Sequence, residues 1–375
     1  MEKKFLAEKE VHRIRPLWET VFTEDSKEFT DYYFTYKAEQ NLVFTREAGD
    51  TPVSMLHLTP YLTGKLEPVC YIVGVATDEK YRRQGLMAEL LKESLQFMWE
   101  EHQPFTFLMP ANPAYYSPFG FSYIYDKPVW KINENILPLR YLDAAAANNA
   151  SFHLVIKNSG NWQLRCGKNC DYVKVADFAE SVLKKQADCY MLRSTHYYKQ
   201  MQEELRAQNG NLFVLEQDGE IKGLLSYVHE NGKPGLQEVI LDEDARKLNL
   251  VTAEECKPAI MARVIRPECF LKGLGSKGPV ELYFKVEDEL LSGNKGVYHA
   301  FTKAGRNTLC CEKIPEAKFT GELDCVITAE DLTQFGFGRI SQECFKRLND
   351  KNAEKIQMSL SNIVPWGRVF INEIV

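Results

Sequence analysis

Between residues 73 and 87 the chain reads VGVATDEKYRRQGLM. Arg82 and Arg83 stand beside Gln84 and Gly85, between an apolar run suited to a strand and the start of an amphipathic segment. A helix N-terminus leaves about four backbone N–H groups without intrahelical partners and carries about half a positive charge. Together these features bind anions. Gly85 would let an anion approach the main chain with no Cβ in the way. The guanidinium forks of Arg82 and Arg83 suit phosphate oxygens. Gln84, Gly85, Leu86 and Met87 would turn their N–H groups toward the same ligand. The segment therefore describes a pyrophosphate cradle after a strand. It lacks the GxxxxGK[ST] of a P-loop and the GxGxxG of a dinucleotide fold. A plain strand–turn–helix with solvated arginines is the structural alternative.

The elements that would position this turn are legible on both sides. Val11, Ile14, Leu17, Trp18, Val21 and Phe22 recur at helical spacing, and Ser26 suits the cap of a second helix carrying Phe29, Tyr32, Tyr33 and Tyr36. Those aromatics could wall a substrate pocket or fill the core. LVFTRE and VSMLHLT read as strands across the Gly49-Asp50 turn, and VCYIVGVAT as a third. A helix over Gln84–Glu101 follows, with Leu86, Leu90, Leu91, Leu95 and Met98 on one face. FTFLMP is a further strand, before Pro113 and Pro118 break the chain.

The pattern recurs. Residues 177–207 read as helical, then NLFVLEQ, IKGLLSYV and LQEVILDE as strands, with turns at Asp218-Gly219 and Asn231-Gly232. NLVFTREAGDTPVSMLHL and NLFVLEQDGEIKGLLSYV share an opening Asn-Leu, a turn and a second strand, which points to a divergent duplication. Only the first copy has the glycine turn; its counterpart, DEDARKLNLV, is led by acids. One anion site per chain is expected.

The last third opens near ARVIRPECFLKGL. Strands are expected around VELYFKV, KGVYHAFTK and ELDCVITA, and helix over SQECFKRL and NAEKIQMSL. The final segment contains Trp366, Val369, Phe370, Ile371, Ile374 and Val375. Exposed tails are normally polar and frayed, so this one is expected to be packed.

Composition narrows the function classes. The chain has 375 residues, net charge −6 and 26% charged residues, ordinary for a soluble globular protein of two or three domains. There is no basic excess to suggest nucleic acid. Runs such as YIVGVA fall far short of a membrane span, and MEKKFLAEKEV lacks the apolar core of a signal peptide. A cytoplasmic location is the default. The ten cysteines are scattered; Cys166 and Cys170, in CGKNC, lie close, with no second pair of that spacing or histidine to complete a metal site. No metal is expected.

VGVATDEKYRRQGLM resembles the acetyl-CoA-binding motif of GNAT acetyltransferases, a strand followed by an Arg/Gln-x-x-Gly-x-Gly/Ala turn. Arg82-x-x-Gly85-x-Met87 matches it, with Met in the last small-residue position. NPAYYSPFGF, residues 112–121, is similar to the region after the family's next strand. Tandem units and a third domain narrow the resemblance to the Eis-like GNAT acetyltransferases. It implies an α/β (α+β) fold: two tandem GNAT-like mixed-sheet units, 1–137 and 138–257, the second degenerate, then a sterol-carrier-like α+β domain, 258–375. It further implies an acetyl-CoA-dependent N-acetyltransferase assembling as a homo-oligomer such as a hexamer. Direct transfer in a ternary complex would go to a primary amine, of a small molecule such as an aminoglycoside or polyamine, or of a lysine.

By the same resemblance the cosubstrate lies along Val73, Val75 and Thr77, at Arg82–Met87 and at Asn112. A backbone N–H near Val75 would polarise the thioester carbonyl. Tyr116 aligns with the general acid that protonates the coenzyme A sulfur; a phenol, with a pKa near about 10, carries a proton at neutral pH. The base implied is the terminal carboxylate, here on Val375, held by the apolar tail. His57 is a strand-borne alternative near the site, or simply a buried histidine.

Two other classes compete. A tandem-GNAT aminoacyl transferase would not need the intact turn in the first unit. A lipid-binding protein with a relic acetyltransferase domain would not turn over acetyl-CoA.

Overall fold

The structure is a computed structural model describing residues 6, 8–64, 66–154, 161–167, 170–230, 233–303, 308–348 and 352–373. The first unit begins with a turn of 3-10 helix and then α1 (Arg15–Val21) and α2 (Lys27–Tyr32). Ser26 caps α2 as the sequence suggests, its Oγ accepting from the Phe29 N–H. β1 (Leu42–Ala48), β2 (Thr51–Tyr61) and β3 (Val69–Thr77) form an antiparallel meander, α3 (Leu86–Glu100) crosses over, and β4 (Phe105–Leu108) returns parallel to β3. β5 (Ser122–Ile132) completes the unit's own strands.

The second unit contains α4 (Leu139–Asn148), β6 (Phe152–Leu154), β7 (Trp162–Cys166), α5 (Tyr172–Gln186), β8 (Cys189–Tyr190), α6 (Thr195–Ala207), β9 (Asn211–Gln217), β10 (Glu220–Glu230), β11 (Lys233–Leu241) and α7 (Glu243–Lys247). Its sheet has the order β11-β10-β9-β7-β6. The stretch read as one helical region over 177–207 is two helices. Asp188 binds Arg368, and β8 pairs with a strand near the end of the chain, so tertiary pairing interrupts the helix. Ser194 then caps α6. Asn231 and Gly232, expected to form a turn, lie outside the described residues.

β12 (Val251–Val264) runs across the boundary expected at 257 and 258. It inserts between β4 and β5, giving the first sheet the order β1-β2-β3-β4-β12-β5. The remaining elements are α8 (Pro267–Leu271), β13 (Gly275–Ser276), β14 (Glu281–Glu287), β15 (Gly296–Thr302), β16 (Leu309–Ile314), β17 (Cys325–Thr328), α9 (Ala329–Gly336), β18 (Lys346–Arg347), α10 (Ala353–Asn362), β19 (Ile363–Val364) and β20 (Val369–Phe370). Strands 14 to 18 make a third sheet, β16-β15-β14-β17-β18. Helix was expected over SQECFKRL, but only one 3-10 turn forms. Phe345 is drawn into the core against Phe335, and β18 pairs with the edge of β17 instead. No helix among the described residues is long and apolar enough to cross a membrane.

The described part of the tail is packed, as expected; Ile374 and Val375 lie outside the described residues. Trp366 and Ile371 are buried, β20 pairs with β8, and the Asn372 Nδ2 donates to the Gln237 carbonyl. The first and third units share one continuous core, in which Phe105 of β4 meets Phe270, Phe337 and Trp366.

Candidate active site

β3 and β4 are in register only over Cys70–Thr106, Tyr71–Phe107 and Ile72–Leu108. Beyond Ile72 the β4 side of β3 has no strand partner, so the main chain of Val73–Thr77 borders a fork in the sheet. The other side of β3 stays paired to β2, with one irregularity. Met55 faces Ala76 and His57 faces Val73, so Leu56 lies opposite two residues, Gly74 and Val75. This is a bulge. Gly74 has φ +58, and a Cβ there would come within 2.7 Å of the Trp18 ring. Glycine is required twice over, by backbone and by contact.

The cradle follows. Arg82, Arg83, Gln84 and Gly85 are exposed, and Leu86 and Met87 are half-buried at the first turn of α3. Arg83 and Gly85 both adopt left-handed conformations, with φ +62 and +87. Nothing lies within 4 Å of the position a Gly85 Cβ would take. No side chain caps α3, although Ser26, Asp171, Ser194, Asp242 and Thr328 cap other helices of the chain. Its first N–H groups thus face an open, arginine-flanked space, which fits a pyrophosphate. Arg82 also has a structural task, since its Nε donates to the Thr77 carbonyl at 3.1 Å. At the equivalent turn of the second unit Asp242 accepts from the N–H groups of Asp244 and Ala245. Its own carboxylate fills the place an anion would take.

Tyr116 sits in the turns after β4. It is buried and meets the Phe121 ring edge-on at 6.0 Å, and burial pushes its pKa up to about 12. Tyr71 of β3 is buried against the Phe107 ring of β4, and burial pushes its pKa well up. Asn112 is exposed, and its Oδ1 accepts from the Ala114 N–H, so it caps the turn that leads to Tyr116. Val375 lies outside the described residues. Phe29, Tyr32 and Tyr33 are buried in the packing of α1 and α2, and Tyr36 is exposed.

Three contributions were not read from the sequence. Arg263 of β12 donates from Nη1 to the Phe119 carbonyl at 2.7 Å and from Nη2 to both oxygens of Asp288. It ties the Tyr116 loop to the third unit. MARVIRPECFL was visible as a segment, but nothing in it signalled which arginine would be buried. The second contribution is a buried ionic cluster. Arg193 pairs with Glu238 at 2.7 Å and with Glu373, all three side chains being almost fully enclosed. Nearby, Lys37 pairs with Glu204, which also accepts from the Tyr32 hydroxyl. Lys37, Tyr61, Glu204, Glu238, Asn372 and Glu373 line a cavity of about 20 Å³, room for one water-sized group. Glu238 Oε1 and Glu373 Oε2 have no hydrogen-bond partner. Burial raises the pKa of Glu204 and of Glu373. The third contribution is aromatic: Tyr61, which lines this cavity, and Tyr71 of β3 both meet the Phe107 ring of β4.

Residues 2–124 match the family model for the acetyltransferase (GNAT) domain. No curated protein matches the chain by sequence. Solved structures match it along nearly its whole length. A probable N-acyltransferase from Enterococcus faecalis is 14% identical, with 99% of each chain covered and a TM-score of 0.74. A GCN5-related N-acetyltransferase from Anabaena variabilis is 14% identical, with 100% and 99% covered and a TM-score of 0.71. Eis1 from Mycobacterium abscessus is 9% identical, with 99% of each covered and a TM-score of 0.68. These likenesses establish the fold along the chain; the domain match assigns the acetyltransferase chemistry to its first third, with acetyl-CoA as cosubstrate.

Proposed function

We propose that this chain, which carries an acetyltransferase domain of the GNAT type, moves the acetyl group of acetyl-CoA to a primary amine of a small molecule or of a lysine. The observation that carries the amine assignment is the acidic cavity. With every group ionised, Glu204, Glu238 and Glu373 outnumber Lys37 and Arg193 by one charge. Two carboxylate oxygens of its lining residues, Glu238 Oε1 and Glu373 Oε2, are buried without a hydrogen-bond partner. An ammonium group supplies both the missing donors and the missing charge.

The chain's own residues divide the work. The first N–H groups of α3, with Arg83 and the free part of Arg82, would hold the pyrophosphate. Val73, Val75 and Thr77 would lie along the arm of the cosubstrate, and Asn112 would fix the turn beside it. Bound acetyl-CoA supplies an activated acyl thioester. Tyr116 keeps its proton at neutral pH and would give it to the departing sulfur. Glu373, made more basic by burial, would take a proton from the ammonium. The terminal carboxylate expected for that role belongs to a residue outside the described ones. On the family resemblance alone, the protein is proposed to be a cytoplasmic homo-oligomer.

The test is a panel of primary amines with acetyl-CoA, following thiol release and acetylated product. Acetylation of at least one amine, weakened in KM for the amine by Glu238→Gln, is expected. Binding of acetyl-CoA without transfer to any amine would overturn the reading.

A further inference from the structure

Along β2, Leu56 and Leu58 pack with Leu90, Leu91 and Leu95 of α3, while Met55 packs with Trp18 and Tyr33. His57 belongs to the second face, since its ring contacts Trp18 and Tyr33. Across the register its partner is Val73, the first residue past the point where β3 and β4 part. A ligand anchored at the N-terminus of α3, which packs on the Leu56 face, and reaching through that fork would come out on the opposite face, the one that carries His57. Tyr61, four residues along the same strand and on the same face, lines the acidic cavity.

The ring of His57 is fixed. The Tyr33 hydroxyl lies 2.7 Å from Nδ1, and the Asn41 Nδ2 donates to the same hydroxyl at 3.0 Å. With Asn41 donating to it, the phenol turns its own proton to Nδ1. If both neighbours donated, the phenol proton would be left buried without an acceptor. Nδ1 therefore accepts, and the ring proton sits on Nε2. That nitrogen is buried and has no partner. The carbon bonded to it, Cδ2, lies 3.3 Å from where a Gly74 Cβ would stand, against the bulge. Burial depresses the ring's pKa to about 3, so at neutral pH it is a donor and not a base.

We propose that His57 is a catalytic residue whose Nε2–H donates to the carbonyl oxygen of the acetyl thioester. The proposal rests on the acetyl-transfer reading above. It accounts for a buried donor kept without an acceptor against the bulge of β3, the strand along which the cosubstrate would lie. A donor aimed at developing oxyanion charge contributes about 10²–10³-fold to turnover.

Nuclear magnetic resonance of the full chain with ¹⁵N-labelled histidine tests this without knowledge of the acceptor. The His57 signals are identified by their loss in His57→Gln. The free protein should show Nε2 protonated and Nδ1 unprotonated, and acetyl-CoA, unlike coenzyme A, should shift the Nε2–H signal. Tyr33→Phe keeps the ring and its surroundings but frees the proton to move to Nδ1. It should bind acetyl-CoA with unchanged affinity and turn over about 10²-fold more slowly on whichever amine is accepted. An Nδ1-protonated ring, a signal unmoved by acetyl-CoA that calorimetry shows to be bound, or full turnover in Tyr33→Phe would overturn the proposal. Absence of acetyl-CoA binding altogether would instead overturn the function on which it rests.

Discussion

Ile72 of β3 pairs with Leu108 of β4, and past that pair the two parallel strands separate. Leu108 keeps its other partner, Met261 of β12, so β4 stays anchored while β3 loses a neighbour. The opening is thus built into the sheet and held from both sides. It lies between the bulge at Gly74 and the uncapped start of α3, so the proposed carbonyl contact and the proposed phosphate anchor would stand at the two ends of one segment of main chain.

The anchor can be tested by itself. Arg83→Ala removes a charge that has no structural bond in the turn, and should weaken acetyl-CoA by about 1.5–3 kcal/mol, the usual size of a hydrogen bond to a charged group. Arg82→Ala should cost as much or more, because the Arg82 Nε also holds the Thr77 carbonyl. Gly85→Val forces a β-branched residue to φ +87 and should lower affinity with the arginines intact. Calorimetry should give one site per chain, since Asp242 already occupies the second unit's turn. Two equivalent sites, or wild-type affinity in Arg83→Ala, would contradict the assignment.

Tyr116→Phe removes one hydroxyl and almost no volume. It should leave acetyl-CoA affinity unchanged and lower turnover by about 10²–10⁴-fold, the usual share of a general acid. Because burial raises this phenol to about 12, its ionisation should leave no limb in a pH–rate profile at neutral pH. Arg263→Met should mimic part of the kinetic loss, as it frees the Phe119 carbonyl and the loop that carries Tyr116. Unchanged single-turnover rates in Tyr116→Phe would assign the proton to another donor.

The cradle and the ionic cluster differ in how far the sequence reveals them. The strand, turn and helix around Gly85 are contiguous, so spacing alone exposes both the elements and their chemistry. Ser26, the meander and the acids that replace the glycine turn in the second unit are local signals of the same kind. Arg193, Glu238 and Glu373 are separated by 45 and 180 residues, and no periodicity links them. The insertion of β12 between β4 and β5 is hidden for the same reason, because Val251–Val264 reads as a strand without saying which sheet it joins. Local pattern also failed where tertiary contacts overrode it, as at β8, where pairing with β20 breaks a helical run.

Arg193→Met tests the energetic role of the cluster. It leaves Glu238 and Glu373 facing one another in an enclosed site with their shared cation removed. Breaking a buried pair by removing one partner typically costs about 3–5 kcal/mol. Urea unfolding should show a loss of that order, and the double change with Glu373→Gln should recover part of it by removing one buried charge. Equal stability of Arg193→Met and wild type would show that the cluster contributes nothing net.

The last prediction concerns pH and His57. Its folded pKa of about 3 lies below its ordinary 6.5, because burial disfavours the charged ring. The unfolded chain therefore binds a proton below about pH 6.5 that the folded chain refuses. The stabilising contribution is fully present above that pH and is lost as pH falls toward about 3, at about 1.4 kcal/mol per pH unit. Glu204 and Glu373 act with the opposite sign: their raised pKa values favour the folded state at low pH, and that contribution is lost as pH rises through them. The wild-type curve is the sum of these terms, so only a difference isolates the histidine. His57→Gln keeps a polar side chain without the titration, and its unfolding free energy should fall less steeply than wild type between about pH 6.5 and 4. Parallel slopes would mean that His57 titrates alike in both states, and that the neutral ring beside Gly74 does not persist in solution.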